Sequence, residues 1–241
     1  MEILAIIPAR GGSKGLPGKN ILPLNGYPLL AYSVAAGLQT PEITRVICST
    51  DSEDIAKVAR DYGAEIPFMR PSEIAQDHSN DLETFDHVLD WLKDSEGYVP
   101  DYVVQLRPTS PIRFISDIQS AITSLIAHPE IDSVRAVSDP VTTPYKMWTI
   151  DKNGYLIPLL TLAGIPDPYN TARQELPEIW AQTGTLEVIR TSTITKKRSM
   201  TGDNIYALKI DPETYIDIDT LNSLLLAEVV MNEIDCIKPS I

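Results

Sequence analysis

The sequence predicts an α/β fold: an open, mostly parallel sheet with helices on both faces, plus a small extended arm. Short apolar runs alternate with segments of helical period from residue 2 to 137, the pattern of a sheet covered on both sides. The first apolar run ends directly in a glycine-rich basic loop, at the strand end where open α/β sheets place their ligands. The periodicity then fades over 139–185, where Pro140, Pro144, Pro158, Pro166, Pro168 and Pro177 fall.

Taken in order, residues 2–8 (EILAIIP) read as a buried first strand. Residues 28–38 read as a helix opened by Pro28 near its first turn, where a missing N–H costs nothing. Thr44–Ser49 is a second strand. Asp51–Tyr62 is a helix capped by Asp51 or Ser52, with Ile55, Val58, Ala59 and Tyr62 at helical spacing. Ala64–Phe68 reads as a short third strand. Leu82, Phe85, Val88, Leu89 and Leu92 share one face of a helix over Asp81–Lys93. Asp101–Leu106 and Ser133–Val137 are the fourth and fifth strands, with a helix over Ile115–Ala127 between them. Within 139–185 a hairpin is expected around Asn153-Gly154, so this region is a substrate-covering flap or a dimerisation arm. Ile205–Ile218 returns to strand character and Thr220–Ile234 closes as a helix. The expectation is one domain over 1–241 with the arm inserted.

Composition narrows the function. The 20 Lys and Arg against 33 Asp and Glu give a net charge of −13, which repels nucleic-acid backbones. Cys48 and Cys236 do not suggest a disulfide, and with three histidines they give no zinc-ligand spacing. No run reaches the roughly 18 apolar residues of a membrane span, and the apolar start is too short for a signal peptide. A soluble cytoplasmic protein without nucleic-acid or membrane partners is expected.

Ala9–Asn20 (ARGGSKGLPGKN) carries four glycines and three cations, Arg10, Lys14 and Lys19, with no acid among them. Glycines let backbone N–H groups approach a ligand, and the cations can neutralise a polyanion. A solvated flexible loop is the bland alternative. Asn20 stands where a P-loop needs Ser or Thr. Gly11-Gly12-Ser13-Lys14-Gly15 matches the spacing of a nucleophile elbow, but His78, His87 and His128 offer no strand-end partner for it. Late in the chain, Asp217 and Asp219 stand two apart on the expected strand. They would share one face roughly 6.6 Å apart, close enough to grip a hard cation. The other reading is an ordinary polar face with Ile216 and Ile218 inward.

At the loop, Arg10, Ser13, Lys14, Gly15, Lys19 and Asn20 match A-R-x-x-S-K-G-x-x-x-K-N, and the chain resembles the acylneuraminate cytidylyltransferases and the related enzymes that activate KDO and legionaminate. Further matches follow in family order: Val46–Asp51, Arg70-Pro71, Ala75-Gln76-Asp77, Gln105–Arg113 with an Arg added after a Leu, Arg173–Pro177 and Tyr215–Asp219.

The resemblance implies a Rossmann-like fold of the nucleotide-diphospho-sugar transferase type, a homodimer, and a Mg²⁺-dependent reaction of CTP with an acidic 3-deoxy-2-ulosonic sugar of sialic type. It implies that Ala9, Arg10, Gly11, Gly12, Ser13, Lys14, Lys19 and Asn20 wrap the nucleotide, helped by Gln105, Pro108 and Ser110. Arg10 and Lys19 would be the main phosphate contacts and Asp217 and Asp219 the Mg²⁺ ligands, the four together making up the catalytic set. Lys146 aligns with a basic residue near the sugar. Arg173 could fork onto the sugar carboxylate or pair with a surface acid. Gln174 and Gln105 belong with it in the sugar-facing half. There Thr183-Gly184-Thr185-Leu186-Glu187 departs from N-G-x-x-Y and puts a carboxylate where an aromatic hydroxyl is usual. Asp81 stands where small hydroxyl residues are common; it could pair with a base amino group or cap its helix. These departures leave legionaminic-, pseudaminic-, KDN- and amino-KDO-like acids open. The other readings are a sugar-phosphate nucleotidyltransferase using GTP or another NTP, and a non-catalytic nucleotide-sugar binding module.

Overall fold

The computed structural model describes residues 1–13 and 15–240. β1 (Ile3–Pro8) is buried throughout Ile3–Ile7, as a strand covered on both faces must be. β2 (Pro23–Leu24) and β3 (Tyr27–Pro28) form a tight hairpin that delivers the chain into α1 (Leu29–Gln39). Pro28 is therefore the cap of α1 and not part of its first turn. β4 (Arg45–Ser49) returns parallel to β1, and α2 (Glu53–Asp61) follows with Ser52 as its cap. α3 (Asp81–Glu96) opens on a capping box between Asn80 and Glu83 and stops at Gly97, whose φ of 68° is left-handed. β5 (Tyr102–Gln105) lies parallel to β1 on its other side. α4 (Ile115–Ala127) and β6 (Ser133–Ser138) complete the alternation.

The arm is a hairpin of β7 (Trp148–Ile150) and β8 (Leu156–Pro158), closed near Gly154. The chain then re-enters the sheet as β9 (Ala181–Arg190), antiparallel to both β5 and β6. After the short α5 (Thr191–Thr195), β10 (Ile205–Lys209) joins parallel to β6, and α6 (Leu221–Glu233) closes the chain. The sheet order is β10-β6-β9-β5-β1-β4. On one face Leu4, Ile6, Val103 and Ile189 pack against Phe85, Val88, Leu89 and Leu92 of α3. On the other, Ile3, Ala5, Ile7 and Val104 meet α1 and α4.

Three expectations are corrected. Ala64–Phe68 is no strand: only Glu65 bridges Ile47, through Glu65 N to the Val46 carbonyl (2.8 Å) and Cys48 N to the Glu65 carbonyl (3.0 Å). Pro67 lacks the donor that would extend it. The strand expected over 205–218 ends at Lys209, because a turn at Asp211–Thr214 interrupts it. Asp217 and Asp219 therefore lie in an extended loop. That loop still alternates, with Ile216 and Ile218 buried and both aspartates exposed, and Ile218 N donates to the Thr109 carbonyl (2.7 Å). Finally, β9 runs through a region read as an excursion up to 185, placing an antiparallel strand mid-sheet. Cys48 and Cys236 are free and buried.

Candidate active site

The carboxyl ends of β1 and β5 open onto one cleft. Its first lobe, about 290 Å³, is lined by Arg10, Ser13, Lys19 and Asn20 on one side, Arg107–Thr109 on another, and Asp219 opposite. The link is direct: Lys19 Nζ lies 2.7 Å from Asp219 Oδ1. Gly15 sits so close to the Asp219 carbonyl that a Cβ there would come within 3.0 Å of it. The loop and the late aspartate thus meet across 200 residues of chain.

Local bonds shape the loop. Ala9 N continues the β4 ladder to the Ser49 carbonyl (3.0 Å), Gly11 N donates to Asp51 Oδ1 (2.8 Å), and Asn20 Nδ2 donates to the Arg10 carbonyl (3.0 Å). Gly12 faces open space. Gly18, with a φ of 66°, turns the chain into the short helix Lys19–Ile21 that presents Lys19. Lys14 lies outside the described residues.

A second lobe of about 200 Å³ adjoins the first and shares Pro8, Arg10 and Arg107 with it. Here Arg10 Nη1 pairs with Asp77 Oδ1 at 3.0 Å. Arg107 forks onto Asp81, which also accepts from Gln105 Nε2 (3.2 Å). Arg70 is buried at its floor, holding Ser49, and burial pulls its guanidinium pKa down. Cations and acids alternate through both lobes, so Arg10, Lys19 and Arg107 arrive already paired with Asp77, Asp219 and Asp81.

Not every residue expected at the site reaches it. Gln105 is 1% exposed, and its Oε1 has no partner. Ser110 is buried, its Oγ against Gly184. Thr183 is buried with Oγ1 donating to the Ala136 carbonyl (3.0 Å). Glu187 is 2% exposed, bonds Arg135 Nη2 at 2.7 Å and lines neither lobe. Burial raises its carboxyl pKa, and Arg135 opposes the rise. Pro108 lines the cleft; Asp217 does not, although it is close enough to Asp219 that both push up the Tyr215 phenol after burial has done so.

Arg173 and Gln174 line a separate cavity of about 340 Å³ at the exit of β6, with Asp139 and Glu178. Arg173 Nη2 donates to the Pro140 carbonyl (2.8 Å) and lies 3.8 Å from Asp139. Lys146 ends a turn at Pro144–Lys146 beside the arm and lines none of these cavities. The residue missed from sequence is Arg107. It was visible as the cation added to the Gln105–Arg113 match, but register alone gave it no partner.

Comparison with known proteins bears on the same segments. A CMP-N,N'-diacetyllegionaminic acid synthase of Legionella pneumophila is 40% identical over 157 residues, 65% of this chain and 66% of that protein. An N-acylneuraminate cytidylyltransferase of Escherichia coli is 43% identical over 121 residues, 50% of this chain and 27% of that protein. The matches therefore span less than two thirds of either relative's own length. The structure of CMP:2-keto-3-deoxy-manno-octonic acid synthetase complexed with CTP superimposes with a TM-score of 0.70 at 16% identity, over 97% of this chain and 99% of that one. It shares the fold. The family described as Cytidylyltransferase matches residues 4–149, a span that holds the glycine-rich loop, Asp81 and the Arg107 turn, and the chain belongs to that family.

Proposed function

We propose that the protein transfers CMP from CTP to the anomeric hydroxyl of a 3-deoxy-2-ulosonic acid of sialic, nonulosonic type, releasing pyrophosphate. The observation that carries this reading is the single cleft in which Arg10, Lys19 and Asn20 face Asp219, in a chain of the cytidylyltransferase family. Two relatives bear the names of CMP-legionaminic acid and N-acylneuraminate enzymes, which favours an acidic nine-carbon sugar. The cavity at Arg173 and Gln174 is the place we assign to that sugar, with the arginine fork for its carboxylate.

The donor set suits Mg²⁺. Asp217 and Asp219 are exposed carboxylates, and the described residues hold no group of three metal-ligating side chains. Mg²⁺ ordinarily takes one or two carboxylates and completes its shell with water and substrate phosphates. When bound, it would neutralise phosphate charge and acidify the attacking hydroxyl. The chain's own contribution is positioning and charge. Arg10 and Lys19 would hold the outer phosphates and stabilise the departing pyrophosphate, and backbone N–H groups of the loop would line the triphosphate. Arriving phosphate would take Lys19 from Asp219, and so free the carboxylate.

Pyrophosphate release measured with each of four NTPs against a panel of ulosonic acids and sugar phosphates tests the reading. CTP with an ulosonic acid is the expected productive pair. Turnover of GTP with a sugar phosphate would replace this reading with the other nucleotidyltransferase class, and CTP binding without any pyrophosphate would favour a binding module.

The arm supports a homodimer. Ile150 is 71% exposed, and Tyr155, Leu156 and Ile157 beside it are exposed as well, an apolar grouping of the kind that marks an interaction surface. Ile150→Asp is expected to halve the mass seen by light scattering. A parent protein that is already monomeric would remove this assignment. No helix among the described residues is long and apolar enough to cross a membrane, which fits the cytoplasmic setting we assign to the reaction.

A further inference from the structure

Strand order sets Arg107 between two substrates. β1 feeds the glycine-rich loop, β5 feeds the Arg107–Pro111 turn beside it, and beyond β9 the end of β6 leads to Asp139 and the Arg173 cavity. A nucleotide on the loop and an acceptor in that cavity would approach each other across the Arg107 turn. Arg107 is also the cation shared by both lobes of the cleft together with Arg10.

The side chain is held in place from below and from one side. Buried Arg113 donates through Nη2 to the Arg107 carbonyl (2.6 Å) and through Nε to the Thr185 carbonyl (2.6 Å), tying the turn to β9. The Arg107 stem lies over Gly184, where an added Cβ would stand 3.4 Å from Cδ. Asp81, in the first turn of α3 where the helix dipole favours a carboxylate, takes one N–H from each terminal nitrogen. Among the described residues the remaining guanidinium N–H groups have no acceptor, and the side chain is 32% exposed. Arg107 can thus donate to a ligand without leaving Asp81.

Resting on the cytidylyl-transfer reading above, we propose that Arg107 is a catalytic residue that donates to the α-phosphate of CTP as the sugar hydroxyl attacks it, and that Asp81 is its positioning residue. The hydroxyl oxygen forms the new bond to the α-phosphorus and loses its proton to solvent water, while the bond to the bridging oxygen breaks and that oxygen leaves with the electron pair as pyrophosphate. Negative charge on the α-phosphoryl oxygens is then what a fixed guanidinium stabilises. Arg10 and Lys19, on the loop side, serve the outer phosphates. Asp81 on this view does not read the base; it aims the fork.

Arg107→Gln tests the proposal. Its kcat for pyrophosphate release should fall about 100-fold, the usual effect of losing one preorganised donor, while calorimetry finds the CTP Kd within about threefold of the parent. Arg107→Lys keeps the charge without the fork and should lose about tenfold; it carries the test should the glutamine variant fail to fold. Asp81→Asn should lower kcat about tenfold alone and add nothing to Arg107→Gln, because both act through one group. Parent-like kcat in a folded Arg107 variant, or a loss confined to CTP affinity, overturns the proposal and leaves the function standing. A parent protein that releases no pyrophosphate from CTP with any ulosonic acid overturns both.

Discussion

Asp219→Ala is expected to leave the thermal midpoint within a few degrees of the parent and to lower turnover at saturating CTP and Mg²⁺ by about 10³-fold or more. The two halves of that expectation come from different parts of the residue. The backbone is structural: Asp219 N donates to Ser223 Oγ (3.1 Å), and the carbonyl abuts Gly15. Alanine keeps both. The carboxylate is 69% exposed and bonds Lys19, whose side chain is 12% exposed; with the acid in solvent the pair is screened and contributes about 1 kcal/mol to folding. Loss of a metal-holding carboxylate, by contrast, removes several kcal/mol of transition-state stabilisation, and each 1.4 kcal/mol or so is tenfold in rate. A second readout separates metal chemistry from damage. With Asp219 gone, Lys19 no longer has its internal partner, so CTP binding measured in EDTA should be no weaker than in the parent. Parent-like turnover in the variant at saturating Mg²⁺ would remove Asp219 from the metal site, and weaker metal-free binding would mean that the cleft itself had been disturbed.

Much of the fold was legible because the strands that build it are buried on both faces. β1 and β4 read as unbroken apolar runs, and α3 and α4 as amphipathic periods. β9 was not legible for a physical reason. Its first seven residues, Ala181–Glu187, carry Gln182, Thr183, Thr185 and Glu187, and three of these polar side chains find tertiary partners that sequence does not show. Thr183 bonds the β6 backbone and Glu187 bonds Arg135. The same blindness shaped the site. The Arg10–Asn20 loop stood out by its charge in an acidic chain, and Asp219 by its spacing from Asp217. Arg107 showed only as a cation added to the Gln105–Arg113 match, since its importance comes from Asp81, 26 residues earlier in the chain, and from the Gly184 surface beneath it. Gln105 had the opposite fate. Two residues upstream, at the buried end of β5, it also has its amide on Asp81, so the motif match fell one same-face position short of the group that lines the cleft.

Removing Arg135 should destabilise the protein more than any surface change near the cleft, by about 3–5 kcal/mol for Arg135→Ala, because it leaves Glu187 charged and unpaired inside the sheet. Arg135, Glu187 and Gln105 stand in one cross-strand row on β6, β9 and β5, on the same face. Glu187 Oε1 already lacks a partner, and Oε2 depends on Arg135 Nη2. The pH dependence distinguishes this cause from simple loss of packing. Burial holds the Glu187 carboxyl above its ordinary value and Arg135 pulls it back; without the arginine it rises further. A folded pKa above the unfolded one means that the native state binds more protons between the two values, so stability falls as pH rises through that window. Arg135→Ala should therefore recover part of its loss as the buffer is taken from about pH 7 towards pH 5, where unfolded glutamate, with a pKa of about 4.3, is still ionised. Adding Glu187→Gln to the variant should remove most of that recovery, because the group that titrates is gone. Urea midpoints at the two pH values measure all three effects. A variant whose deficit is the same at both would show that Glu187 is not the buried charge setting the stability of this row.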